Sequence, residues 1–138
     1  MRHAIALSAA LAALALCGAC DSPLSPVHPE ATYLVNGIVL DPDGKPIRNL
    51  KVASYFTEDV NMNIVDTDKE GRFRDSAVTW PGYLWYVIED VDGEDNGGRF
   101  LPDTIHFEDM EFVKIRRGLA LDDKGTFKTE FTRTLQYR

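Results

Sequence analysis

The sequence predicts an all-β, antiparallel sandwich of about seven strands, and three observations predict it. From Tyr33 onward, short apolar runs are separated by turn residues at intervals of roughly ten. No segment after Cys20 sustains three helical turns of apolar spacing. The last run, Thr126 to Tyr137, sets Phe127, Thr129, Phe131 and Arg133 against Lys128, Glu130, Thr132 and Thr134. That is the two-residue period of a half-buried strand.

The elements follow in order. Tyr33 to Leu40 reads as strand, and Asp41-Pro42-Asp43-Gly44-Lys45-Pro46 as a turn in which proline pre-sets φ and Gly44 supplies a positive φ. Lys51 to Thr57 forms the next strand. Asn63 to Asp68 is expected to meet Arg72-Phe73-Arg74 in a hairpin across Lys69-Glu70-Gly71. Tyr83-Leu84-Trp85-Tyr86-Val87-Ile88 is apolar at both parities, which predicts a central strand covered on each face. Thr104 to Phe107 and Glu111 to Ile115 are shorter candidates.

The N-terminus has a different character. Ala4 to Leu16 is apolar except for Ser8, and follows Arg2. A positive start, a short apolar run and small residues predict a secretory signal peptide, and the run is too short to span a bilayer comfortably. Leu16-Cys17-Gly18-Ala19-Cys20 resembles a bacterial lipobox, with Cys17 standing where that pattern carries an aliphatic residue. The resemblance implies cleavage after residue 19 and lipid attachment at Cys20. Residues 20–31, with three prolines in DSPLSPVHPEA, then read as a tether, and 32–138 as the sandwich domain.

Composition limits the functional classes. The 138 residues carry 15 Lys+Arg against 22 Asp+Glu, a net charge of -7. Loss of residues 1–19 removes one base and no acid, leaving -8. Such a surface repels nucleic acid. An acidic body is also repelled by anionic headgroups, so membrane attachment falls to the acyl chains. Two cysteines are too few for a disulfide scaffold or a four-thiolate metal site.

Two longer resemblances bear on the fold. Val35-Asn36-Gly37-Ile38-Val39, Asp43-Gly44-Lys45-Pro46-Ile47 and Thr67-Asp68-Lys69-Glu70-Gly71-Arg72-Phe73 resemble the carboxypeptidase-regulatory, transthyretin-like domain. That implies a seven-strand antiparallel Greek-key sandwich following the signal helix, and says little of activity. With the lipobox and Ile88 to Phe100, the chain also resembles a family of small lipoproteins associated with radical SAM enzymes. The implied partner is such an enzyme. Iron–sulfur radical chemistry normally operates in the cytoplasm, so any modification by that enzyme would precede export, or the association is not one of enzyme and substrate.

Each candidate site also has a structural role open to it. Asp90-Val91-Asp92-Gly93-Glu94-Asp95-Asn96 concentrates oxygen ligands as a calcium loop does, but Gly93 stands at the fourth loop position and Leu101 at the twelfth. Asp66, Asp68 and Glu70 fit the first half of that pattern, with Ala77 at its twelfth position. Acidic residues also serve turns. Trp80 to Tyr86 offers aromatic faces to a sugar, although aromatics at strand spacing usually form core. His28 lies in the tether and reads as solvated. His106, between Ile105 and Phe107, reads as structural, and Glu108-Asp109 is an acid pair of the kind common on acidic surfaces. No nucleophile elbow or phosphate-cradling glycine loop occurs.

The expectation is therefore a non-enzymatic lipoprotein of the cell envelope, at the outer membrane on its periplasmic face or the cell surface. Its lipid is carried on Cys20. No cofactor, metal ligand set or nucleic-acid partner is expected, and no pattern names a protein or glycan ligand.

Overall fold

A computed structural model describes residues 28–138. The expected signal peptide, Cys20 and the expected tether up to residue 27 lie outside the described residues. The rest is all-β, in two four-stranded sheets packed as a sandwich. The strands are β1 (Glu30–Leu40), β2 (Leu50–Thr57), β3 (Val60–Asp66), β4 (Arg72–Thr79), β5 (Trp85–Asp90), β6 (Asp103–Ile105), β7 (Val113–Arg116) and β8 (Asp123–Thr134). One sheet runs β4-β1-β8-β7 and the other β3-β2-β5-β6.

Strand β1 shows why the pattern works. Its residues alternate buried and half-buried along ten positions from Ala31, because successive side chains point to opposite faces. Val35 and Val39 meet Leu50, Val52, Tyr86 and Ile88 in one hydrophobic core between the sheets.

Four expectations are corrected. The described residues hold eight strands rather than seven, because both short segments after Pro102 pair at sheet edges, β6 against β5 and β7 against β8. The sandwich is not wholly antiparallel: β8 runs parallel to β1 through the middle of its sheet, Val35 beside Thr129. Alternation carries no information on strand direction. Strand β1 starts at Glu30, inside the expected tether, where the Glu30 amide donates to the Asp122 carbonyl at 2.7 Å and Ala31 pairs with Thr79.

The fourth concerns residues 63–74, which do not form a hairpin. Strands β3 and β4 belong to different sheets, and the paired hairpin is β2–β3. Thr67 causes the departure. Its hydroxyl donates to the Ile47 carbonyl at 2.7 Å and accepts from the Leu50 amide at 3.0 Å, drawing the chain out of one sheet. Asp68 then closes the corner, its Oδ1 accepting from the Glu70 and Arg72 amides, each at 2.9 Å. Asp41 does the same for the first turn, accepting from Asp43 and Lys45.

Two polar clasps join the sheets. On one side, the Tyr86 hydroxyl donates to Asp75 Oδ2 at 2.7 Å, and Asn63 Nδ2 donates to Asp75 Oδ1 at 2.9 Å. On the other, Arg133 meets Asp103 through two hydrogen bonds of 2.7 and 3.0 Å. Both leave the core between them to apolar side chains.

Candidate functional site

The pole where β1 begins gathers the β2–β3 turn, the β4–β5 turn and the β7–β8 loop among its connections. The β4–β5 turn is built by Trp80-Pro81-Gly82-Tyr83. Proline sets φ at its second position and Gly82, with φ of 88°, takes the third, so the Tyr83 amide reaches the Trp80 carbonyl at 3.0 Å. Thr79 Oγ1 donates to the Tyr83 carbonyl at 3.0 Å and locks the turn against its strand.

That turn presents an aromatic cluster. Trp80 stacks on the His28 imidazole with centroids 4.0 Å apart, and meets Phe56 and Tyr83 edge-on at 5.1 and 5.6 Å. The expected solvated histidine is therefore exposed but seated on a ring. His28 also covers one face of Trp80, so the open sugar platform read from the sequence is not what Trp80 offers. On the outer face of the β3-β2-β5-β6 sheet, Tyr55 and Trp85 stack at 4.6 Å as a directly opposed cross-strand pair. This explains the doubly apolar run at β5. Tyr86 and Ile88 fill the core, while Trp85 stays half-buried outside rather than being covered by a second layer.

The β7–β8 loop is organised by one carboxylate. Asp123 accepts from Arg116 Nη1 and Nη2 at 3.0 and 3.1 Å, and from the amides of Gly125 and Leu119 at 2.8 and 3.2 Å. The Arg116 guanidinium, followed by these two amides, holds the Asp123 carboxyl well below the usual carboxylate range. The loop so closed projects Leu119 and Leu121 into solvent, 87% and 94% exposed.

The acidic candidates have structural partners. Asp90 accepts from the Asp92 amide at 3.2 Å and the Phe100 amide at 3.0 Å, and Asn96 donates to Asp92. Burial and the neighbouring Asp90 push the Asp92 carboxyl up, against the opposing hydrogen bond from Asn96. Among the described residues, no three His, Cys, Asp or Glu side chains converge as a metal site. His106 and Asp109 close a 3₁₀ turn over Phe107–Asp109, the His106 amide donating to Asp109 Oδ2 at 2.9 Å.

A second surface was not singled out by the sequence. A shallow, open depression of about 420 Å³ lies on the β4-β1-β8-β7 sheet, lined by Asn36, Ile38, Arg72, Arg74, Glu130 and Thr132 among others. The alternation of Arg72 and Arg74 about Phe73 was a legible signal, since strand period places both arginines on one face. Register then sets Arg74 beside Asn36, and Asn36 beside Glu130.

No family model and no curated protein matches the chain. Solved structures do. The 3-chlorocatechol 1,2-dioxygenase of Rhodococcus opacus 1CP is 14% identical over 78% of this chain and 60% of its own, with a TM-score of 0.53. The catechol 1,2-dioxygenase of Pseudomonas arvilla C-1 is 17% identical over 78% and 53%, with a TM-score of 0.52. The dioxygenase domain of a dioxygenase carbohydrate-binding fusion from Streptomyces sp. SirexAA-E is 14% identical over 83% and 86%, at 0.50. The likeness is one of fold. The chain spans between 53% and 60% of the length of those two catechol enzymes. Among the described residues, no helix is long and apolar enough to cross a membrane.

Proposed function

We propose that this protein is a lipoprotein of the cell envelope, held at the outer membrane by acyl chains on Cys20. Its transthyretin-like Greek-key sandwich is a non-catalytic binding or assembly module. The observation that carries the reading is the run Ala4 to Leu16 followed by Gly18-Ala19-Cys20, with Cys20 only ten residues before the first strand residue, Glu30. Acyl chains contribute about 0.8 kcal/mol per buried CH₂, and more than one chain makes the attachment firm.

The non-catalytic part is supported by the work the polar groups already do. Asp75 is bound by Tyr86 and Asn63, Asp103 by Arg133, Asp90 by two amides and Asp109 by the His106 amide. The binding face that fits best is the Arg72–Arg74 depression, whose paired guanidinium groups suit a carboxylate-bearing partner. Catechol is expected to pass unchanged over the purified protein.

Globomycin treatment and detergent-phase partition test the anchor. The parent is expected in the detergent phase, with unprocessed precursor accumulating under globomycin, and the Cys20→Ser variant in the aqueous phase. Identical processing and fractionation of parent and variant would remove the reading. The resemblance through Ile88 to Phe100 favours a second one, a substrate or partner of a radical SAM enzyme. Intact mass of the mature protein separates the two: acyl mass alone supports the first, and further mass on a core peptide supports the second.

A further inference from the structure

We infer that the pole of the sandwich bearing Trp80, Tyr83, Leu119 and Leu121 docks on the bilayer interface, so the anchored domain lies against the membrane rather than standing off it. The inference rests on the lipid-anchor reading and adds an orientation to it.

Topology places these residues together. Glu30 begins β1; Thr79, beside Ala31, ends β4; and Asp123, paired with Glu30, begins β8. The β4–β5 turn and the β7–β8 loop therefore flank the strand by which the chain arrives. Neighbouring strands lie about 4.8 Å apart, so the two connections straddle β1 within roughly 10 Å. Chain length then sets an upper limit on the distance to the membrane. Nine residues lie between Cys20 and Glu30, and that stretch at full extension spans about 36 Å or less. The opposite pole, with the Asp41–Pro46 turn, is a further strand length away.

The side chains at this pole suit an interface. Leu121 and Leu119 are the two most exposed large apolar residues among those described, with Val113 next at 67%. They do not droop from a loose loop. Asp123 ties the Leu119 amide and Arg116 together, and the Asp123 amide returns to the Ala120 carbonyl at 3.1 Å. The loop is closed with its leucines outward, where an apolar surface would bury both side chains. At the same pole, Trp80 and the 49%-exposed Tyr83 are the residue types that settle at headgroup depth.

Charge selects the lipid. Glu30, the β2–β3 turn and the β7–β8 loop bring Glu58, Asp59, Asp122 and Asp123 to this pole against Arg116, Arg117 and Lys124, a small excess of acid, so anionic headgroups gain nothing there and a zwitterionic surface is the fit.

The test uses the mature, lipidated protein in phosphatidylcholine vesicles. A polarity-sensitive thiol label is placed at Leu121→Cys or, on the far pole, at Lys45→Cys. On the anchor reading the mature chain has no other free thiol, because Cys17 leaves with the signal peptide and Cys20 is acylated. The label at 121 is expected to shift to the blue and be shielded several-fold from an aqueous quencher relative to the label at 45. Leu119→Asp is expected to abolish most of that shielding with the vesicle-bound fraction unchanged. Equal accessibility of the two labels in vesicle-bound protein overturns the docking alone. Failure of the Cys20-intact protein to bind vesicles overturns the anchor and the docking with it.

Discussion

The Phe73 ring occupies the space in which a side chain on Gly37 would stand. A Cβ built on Gly37 would lie 2.5 Å from Phe73 Cζ and 3.0 Å from Cδ1. The two residues pair across β1 and β4. They come from separate sequence motifs, and their contact brings those motifs together in the core. A neighbouring bond reinforces it: the Val39 amide donates to the Gly71 carbonyl at 2.8 Å.

Gly37→Ala is therefore expected to destabilise the domain by about 1–3 kcal/mol, the usual cost of overpacking a core. Urea unfolding measures it. Combining it with Phe73→Leu is expected to cost less than the sum of the single changes, because the smaller side chain relieves the clash. Additive losses would mean that the two do not compete for space.

Tyr86→Phe removes the hydrogen bond to Asp75 and is expected to cost about 1.5–3 kcal/mol, the range for a bond to a charged group. The pH dependence has a definite sign. Burial, then the Asp75 charge and its hydrogen bond, raise the Tyr86 phenol above its usual range. The unfolded chain then releases its proton first, so stability falls as pH rises above about 10. Tyr86→Phe is expected to flatten that alkaline slope, and an unchanged slope would assign it to other tyrosines.

Thr129 offers a change in the opposite direction. Its Oγ1 is buried in β8 with no hydrogen-bond partner among the described residues. Thr129→Val keeps the shape and removes the unsatisfied group, so a gain of about 1 kcal/mol is expected in thermal or urea unfolding. A loss would reveal a partner for the hydroxyl.

The Asp123 clamp has an acid limit. Its carboxyl is held below the usual range by Arg116 and then by the Gly125 and Leu119 amides. The folded loop is thus favoured above the ordinary carboxylate pKa, about 3.9, and loses that support as pH falls further. Amide exchange at Leu119 and Gly125, corrected for intrinsic rates, is expected to accelerate below that point and at all pH in Asp123→Ala. Equal protection in the parent and the variant would show that the loop closes without the carboxylate.

Turns and faces were legible in the residues, while the site was legible only in part. Asp41 and Asp68 announce their corners because an Asx side chain satisfies amides two and four residues on, a local event. Trp80-Pro81-Gly82 marked an aromatic turn for the same reason. That His28 would stack on it, or that Leu119 and Leu121 would share its pole, has no local signature. Those neighbours lie tens of residues apart.

Composition and order along the chain determined an all-β body, its alternation, its acidic charge and its apolar run from Ala4 to Leu16, since each depends on a residue and its near neighbours. The tertiary structure alone decided that β8 runs parallel to β1, that the chain crosses between sheets at Thr67, and that Gly37 receives Phe73. It also decided which loops share the pole where β1 begins. Strand direction and sheet membership are chosen by burial and hydrogen bonding between distant segments, a choice that two-residue periodicity leaves open.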